Sequence, residues 1–282
     1  MKRIFLIFGL LLLANSNAFA DCDYSCVEPY SMNTKSKTFF SAISGYNWIV
    51  ENKAESILKD EISKIIESDN LKVDLESFSP KDLKNGIFKS VNITANNLLI
   101  NDIHLSYLKL SSLCKFNYIK PNGSDVTFME EFPMSFDIIM SQDDINKTMK
   151  HESYQKVIKD INKLANKAGI GLQIVSTNVA IKANKFYYIL GINVPFVRRE
   201  QKLVFEAELS VKNGKIDFNN TRLVSGPIKL DLKKIDFIMN YLNPLDFSVN
   251  IIENKNADIK VRNVDIKENE IVTNGIIIIP KD

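Results

Sequence analysis

From Leu71 onward the hydrophobicity of this chain runs with a period of two, and that rhythm restricts the fold more than any single motif. Leu71, Val73 and Leu75 alternate with Lys72, Asp74 and Glu76. The clearest run sets Leu203, Phe205, Ala207, Leu209 and Val211 against Lys202, Glu206, Glu208, Ser210 and Lys212. Successive strand side chains point to opposite faces, so such a segment buries one face and wets the other. Asn213-Gly214 then leads into Ile216 and Phe218, the strongest hairpin signal in the sequence. Strands are predicted over residues 87–95, 103–113, 115–120 and 133–140, with Pro121-Asn122-Gly123 as a turn. A second group is predicted over 171–182, 185–197, 201–212 and 215–224, and a closing pair over 257–267 and 269–279.

Helical periodicity interrupts this pattern three times. Ile43, Val50, Ala54, Ile57, Leu58, Ile62 and Ile65 lay an apolar stripe along a helix predicted over 38–67, with Glu51, Glu55 and Lys59 on the opposite face. A second helical section is predicted over 142–167, opened by a capping box of Ser141 and Asp144. A third, over 231–242, stops before Asn243-Pro244. No βαβ rhythm appears, so the expected class is α+β with antiparallel sheets rather than a nucleotide-binding parallel sheet. One domain, residues 38–282, is expected to follow an irregular, cysteine-bearing segment over 21–37.

The chain opens as a secretory signal does. Lys2 and Arg3 precede the apolar run Ile4–Leu13, which ends in Ala18-Phe19-Ala20. Cleavage after Ala20 is expected, with a periplasmic or secreted product; acylation at Cys22 is the weaker expectation because Asp21 precedes it. Removing the two basic residues of the signal leaves 36 − 2 = 34 Lys+Arg against 34 Asp+Glu. A net charge of zero argues against a nucleic-acid partner. Three cysteines, Cys22, Cys26 and Cys114, allow one disulfide, either Cys22 with Cys26 or one of them with Cys114. With only His104 and His151 in the chain, neither at ligand spacing from a cysteine, no metal site is expected.

Catalytic constellations are missing too. The sequence holds no GxSxG, HExxH, GxxxxGKS or GxGxxG. His104, within a strand pattern, and His151, at a helix start, read as ordinary structural histidines. Glu130-Glu131 and Asp143-Asp144 are paired only in sequence, and Arg198-Arg199 reads as a solvated loop, with an anionic head-group contact as the sharper alternative. No enzymatic activity and no cofactor are expected.

What stands out is surplus apolar surface. Leu98-Leu99-Ile100, Phe186-Tyr187-Tyr188-Ile189-Leu190 and Ile276–Ile279 are apolar on both faces of a strand, although a strand in an open sheet needs only one buried face. The segment Gly86-Ile87-Phe88-Lys89-Ser90-Val91-Asn92-Ile93-Thr94-Ala95-Asn96-Asn97-Leu98, followed by Ile103-His104-Leu105 and Leu108, resembles the LmeA-type family of bacterial envelope proteins that bind phospholipids. Ser141-Gln142-Asp143-Asp144-Ile145-Asn146 and Tyr241-Leu242-Asn243-Pro244-Leu245 before Ile259-Lys260-Val261 extend the resemblance over about residues 50–280. That resemblance implies a tubular lipid-binding fold, in which a strongly curved antiparallel sheet wraps the long first helix around a groove.

On these grounds the chain is expected to bind a phospholipid or other amphiphile, with transient membrane contact. The apolar surplus nominates Ile57, Leu58 and Ile62 on the first helix and Phe186, Tyr188 and Leu190 opposite them as wall residues. The rival expectation is an envelope interaction module with a solid core and no ligand.

Overall fold

The computed structural model describes residues 24–32, 46–122, 125–167, 173–194, 196–225, 242–245 and 257–282. Four helices lie within them: α1 (Tyr46–Ser63), α2 (Pro80–Lys84), α3 (Gln142–Thr148) and α4 (Glu152–Lys167). The strands are β1 (Glu67–Glu76), β2 (Ile87–Phe88), β3 (Ser90–Ile100), β4 (Ile103–Ser112), β5 (Asn117–Asn122), β6 (Asp125–Phe128) and β7 (Phe132–Ser141). They continue as β8 (Gln173–Lys182), β9 (Lys185–Asn193), β10 (Gln201–Lys212), β11 (Lys215–Ser225), β12 (Asp258–Lys267) and β13 (Glu270–Ile279). The expected signal segment, Ile43 and the helix predicted over 231–242, apart from Leu242, fall outside the described residues.

The strands form three antiparallel sheets, of six (order β1-β3-β4-β7-β13-β12), four (β11-β10-β9-β8) and three strands (β2-β5-β6). Period-two patterning therefore becomes antiparallel pairing, as local chemistry requires. Four hairpins close on two-residue loops whose residues both have positive φ: Asn101-Asp102, Ala183-Asn184, Asn213-Gly214 and Glu268-Asn269. These are the mirror-image turns that match strand twist. The carbonyl of Gly214 accepts from Val261 N at 2.8 Å, so the β10–β11 turn docks the smaller sheet onto β12. One core cluster spans both sheets and both longer helical segments of the middle of the chain. It joins Ala95, Leu105, Phe136 and Met140 to Ile145, Tyr154, Phe186, Tyr188, Leu203 and Phe205.

The expectation of a long helix wrapped by a strongly curved sheet is overturned. Strand dominates, no sheet closes into a barrel among the described residues, and α1 lies beside the edge strand β1 rather than at the centre of a sheet. By Glu67 the chain is already strand, so the helix ends earlier than predicted. The stripe is also turned: Ile57 (54% exposed) and Ile65 (71%) face solvent. Glu51 and Glu55, expected to face water, instead face the sheet. Glu55 Oε1 accepts from Leu75 N at 2.8 Å, and Glu51 Oε1 accepts from both the amide and the hydroxyl of Ser77 at 2.7 Å. An edge strand presents unpaired N–H groups, and leaving them bare beside a helix costs more than turning two carboxylates inward.

The helical section predicted over 142–167 is two helices. Ser141 and Asp144 form the capping box of α3, and the chain re-enters helix at Glu152. The N-terminal segment 24–32 has no regular structure and is held by the Cys26–Cys114 disulfide, Cα–Cα 5.5 Å. Tyr24 and Tyr30 donate to Glu131 (2.9 Å) and Glu130 (2.5 Å), and the Tyr30 ring packs on Phe116 at 5.1 Å. Hydrogen bonding to Glu130 and partial burial push the Tyr30 hydroxyl up to about 12.

Candidate functional site

The six-stranded sheet has one polar and one apolar face. Thr94, Lys109, Asp137 and Asn274 are successive cross-strand neighbours on the polar side. On the other side, Ile93 pairs with Leu110 and Leu110 with Phe136; one step along, Ala95 pairs with Leu108, Leu108 with Ile138, and Ile138 with Thr273. Directly opposed residues share a face, so these side chains form one continuous aliphatic surface.

Its apolar members all pack on the core, to different depths. Phe136, Ala95 and Met140 are buried, yet Ile93, Leu108, Leu110 and Ile138 are only half-buried although β3, β4 and β7 are interior strands. Val264, Ile266 and Ile277 on β12 and β13 are half-buried as well. Beneath it, Gly275 lets the chain pass closely: a Cβ there would meet the Lys260 carbonyl at 2.2 Å and the Phe136 ring at 2.5 Å. The row can offer dispersion and apolar burial, and no titratable group is among its members.

The nominated wall residues divide. Leu58 and Ile62 pack on the same apolar surface as Ile93 and Leu110, and Ile62 reaches both core clusters. Ile57 points to solvent on the other side of α1. Phe186 and Tyr188 are fully buried and Leu190 is 4% exposed. The Phe186 ring packs 5.1 Å from Phe218, and the Tyr188 hydroxyl lies 2.7 Å from that of Tyr154, which donates to the Leu242 carbonyl at 2.6 Å. Burial drives both tyrosine pKa values upward, so both stay neutral. The face of β9 that carries Phe186, Tyr188 and Leu190 is thus solid core, packed towards α4 and the larger sheet, while Tyr187 and Ile189 on its other face are half-buried.

Sequence reasoning passed over the half-buried row because its residues alternate as those of any amphipathic strand do. Only register shows that Ile93, Leu110, Leu108 and Ile138 are neighbours, and only packing among the described residues shows that they are less deeply buried than Ala95 and Phe136.

The two histidines meet. His104 and His151 bring their Nε2 atoms to 3.0 Å, and His151 Nδ1 is 3.3 Å from Asp102. They line a shallow cleft of about 350 Å³ with Lys147 and Lys150. Desolvation first, then His151 and Lys147, hold His104 below the ordinary histidine value, against Asp144 and Asp143. Of two clefts beside α1, the one of about 360 Å³ is polar, lined by Glu51, Glu55 and Asp74 among others, and the one of about 390 Å³ is mixed, with Lys59 and Asp74 beside Leu71 and Val73. No group of three or more His, Cys, Asp or Glu poised to hold a metal occurs among the described residues. No helix among them is long and apolar enough to cross a membrane.

No protein-family model matches the chain, and neither a curated protein nor a solved structure matches it.

Proposed function

We propose that this protein binds a phospholipid or similar amphiphile outside the cytoplasm, laying an acyl chain along the aliphatic row of the six-stranded sheet. The observation that supports this reading is that Ile93, Leu108, Leu110 and Ile138, on interior strands and packed against the core, keep part of their surface accessible while their neighbours Ala95 and Phe136 are buried. Burying about ten methylenes at about 0.8 kcal/mol each amounts to about 8 kcal/mol, enough for roughly micromolar binding before association costs. No charged anchor is needed. Leu58 and Ile62 of α1 flank the row and would complete its rim. The signal-like N-terminus and the lack of catalytic motifs agree with a carrier working where lipids must cross water.

Native mass spectrometry of the protein purified from membranes tests this directly. A co-purifying lipid is expected, and its occupancy should fall in Leu108→Ala and Ile138→Ala by more than their loss of stability in urea unfolding accounts for. A lipid-free protein whose melting does not respond to added phosphatidylglycerol would overturn it. That outcome would favour the packed interaction module, which the solid core around Phe186 and Tyr188 supports.

A further inference from the structure

The four-stranded sheet is fastened at one end to α3 and β12, and at the other, along its β8 edge, to α4, where Asn162 bonds both backbone groups of Ile174 at 2.8 Å. At the first end the Asn213-Gly214 turn docks on β12, and α3 fastens to β8 through Asn146, bonded to both backbone groups of Val179, and Gln142, bonded to Ile181 N. β10 runs on for 12 residues, about 36 Å from end to end. The opposite end carries the β9–β10 loop, the start of β8 and the end of β11.

The β9–β10 loop at this second end is apolar where it should be wet. Phe196 is fully solvent-exposed and Val197 is 45% exposed. Phe196 also has φ +69°, in a turn closed by Val197 N on the Val194 carbonyl at 3.1 Å. A bulky residue in the left-handed region is strained, and such strain persists where it serves something. Both edge strands repeat the pattern. The register of β8 slips between Ile174 and Ser176, and that of β11 slips between Leu223 and Ser225. The extra residues are Val175 (46% exposed) and Val224 (53%). A bulge re-aims a side chain, and here two bulges aim valines into water at the same end of one sheet.

Charge accompanies the apolar tip. Arg198 and Arg199 follow it directly, both exposed, and no carboxylate is within ion-pair distance of either among the described residues. The adjacent acid, Glu200, is held back by Ser176, which donates to it at 2.6 Å over the bare backbone of Gly191. The protein as a whole is nearly neutral, so this is a local arrangement rather than a general basic character.

We propose that this end is a membrane-docking tip: Phe196 and Val197 enter the interface of an anionic phospholipid bilayer, Val175 and Val224 flank them, and Arg198 and Arg199 pair with lipid phosphates. Apolar side chains beside guanidinium groups match the interface, where a hydrocarbon boundary underlies negative charge. A protein partner fits less well. The end of a four-stranded sheet is only about 15 Å across, small beside the roughly 800 Å² per side of a stable protein interface. The tip shares no residue with the aliphatic row, so docking stands apart from the proposed acyl-chain binding.

Vesicle flotation of the full mature chain tests it. Binding is expected to phosphatidylcholine vesicles containing about 30% phosphatidylglycerol, weakening with salt, and to be at least tenfold weaker with phosphatidylcholine alone. Arg198→Gln with Arg199→Gln should weaken it roughly 30-fold, and Phe196→Ser with Val197→Ser at least tenfold. These positions are exposed, so unchanged circular dichroism melting is the control for folding. Lipid occupancy by native mass spectrometry should be unchanged in both variants, which separates failure of docking from failure of the row. Equal binding by wild type and both variants would overturn the proposal, as would no binding to either vesicle. Loss of a dimer in sedimentation on Phe196→Ser, without vesicle binding, would overturn it in favour of a protein interface.

Discussion

The hydroxyls of Tyr154 on α4 and Tyr188 on β9 lie 2.7 Å apart in full burial, and Tyr154 passes the chain of hydrogen bonds on to the Leu242 carbonyl at 2.6 Å. This link joins a helix, a sheet and a distant segment through one polar point in an apolar core. Tyr154→Phe should therefore cost more than Tyr188→Phe, because it strips both the acceptor of Tyr188 and the donor to Leu242. About 2–4 kcal/mol against about 1 kcal/mol is expected from urea unfolding. Equal costs would show that the link is not directional.

The Cys26–Cys114 disulfide closes a separation of 88 residues and is the only covalent tie on segment 24–32. Replacing both cysteines with serine should destabilise the fold by about 2–5 kcal/mol. Peptide mapping without reductant should recover a Cys26–Cys114 peptide; a Cys22–Cys26 peptide would contradict the pairing.

Glu55 caps Leu75 N and Glu51 caps Ser77 at the edge of β1. Glu55→Ala should lower stability by about 1 kcal/mol and speed amide hydrogen exchange at Leu75, while Glu55→Gln, which keeps an acceptor oxygen, should retain most of the protection. Unaltered exchange in the alanine variant would remove the carboxylate from the account of how α1 is held.

His104 titrates below the ordinary histidine value because burial, then His151 and Lys147, oppose its charge. The unfolded chain is thus the better base. Stability from this site is full above about pH 6.5 and is lost as the pH falls through that value towards the lowered folded one. An NMR titration should find the His104 midpoint below that of a free histidine, and His104→Gln should flatten the fall in stability between about pH 7 and 5. A midpoint at or above the free value would refute the sign.

Gly275→Ala would place a methyl 2.2 Å from the Lys260 carbonyl and 2.5 Å from the Phe136 ring, beneath the aliphatic row. Neither neighbour is free to withdraw, since one is ladder backbone and the other is a buried ring. A loss of about 1–3 kcal/mol or more is expected in thermal or urea unfolding; a neutral result would mean the sheet yields there.

The strands were legible because period two is a local property, and so were the capping box of Ser141 and the Asn213-Gly214 turn. The breaks at 183–184 and near 268 were legible as well, but the turn geometry there and at Asn101-Asp102 was not, because these loops carry no glycine and adopt positive φ under the direction of the paired strands. The orientation of α1 escaped for a related reason. Its apolar spacing fits a stripe, but the unpaired amides of β1 draw Glu51 and Glu55 inward, and those amides exist only once β1 has become an edge.

By itself, then, the sequence determined the antiparallel character of this protein and its near-neutral charge, because alternation and composition are carried by neighbouring residues or by sums over them. Tertiary structure alone decided which apolar strands are covered. Phe186, Tyr188 and Leu190 have the strongest apolar signal and are sealed in the core, whereas the plainer alternation of Ile93, Leu108, Leu110 and Ile138 packs on that core while staying only half-buried. Exposure depends on what packs across a sheet, and in this chain the covering elements come from segments far away in sequence.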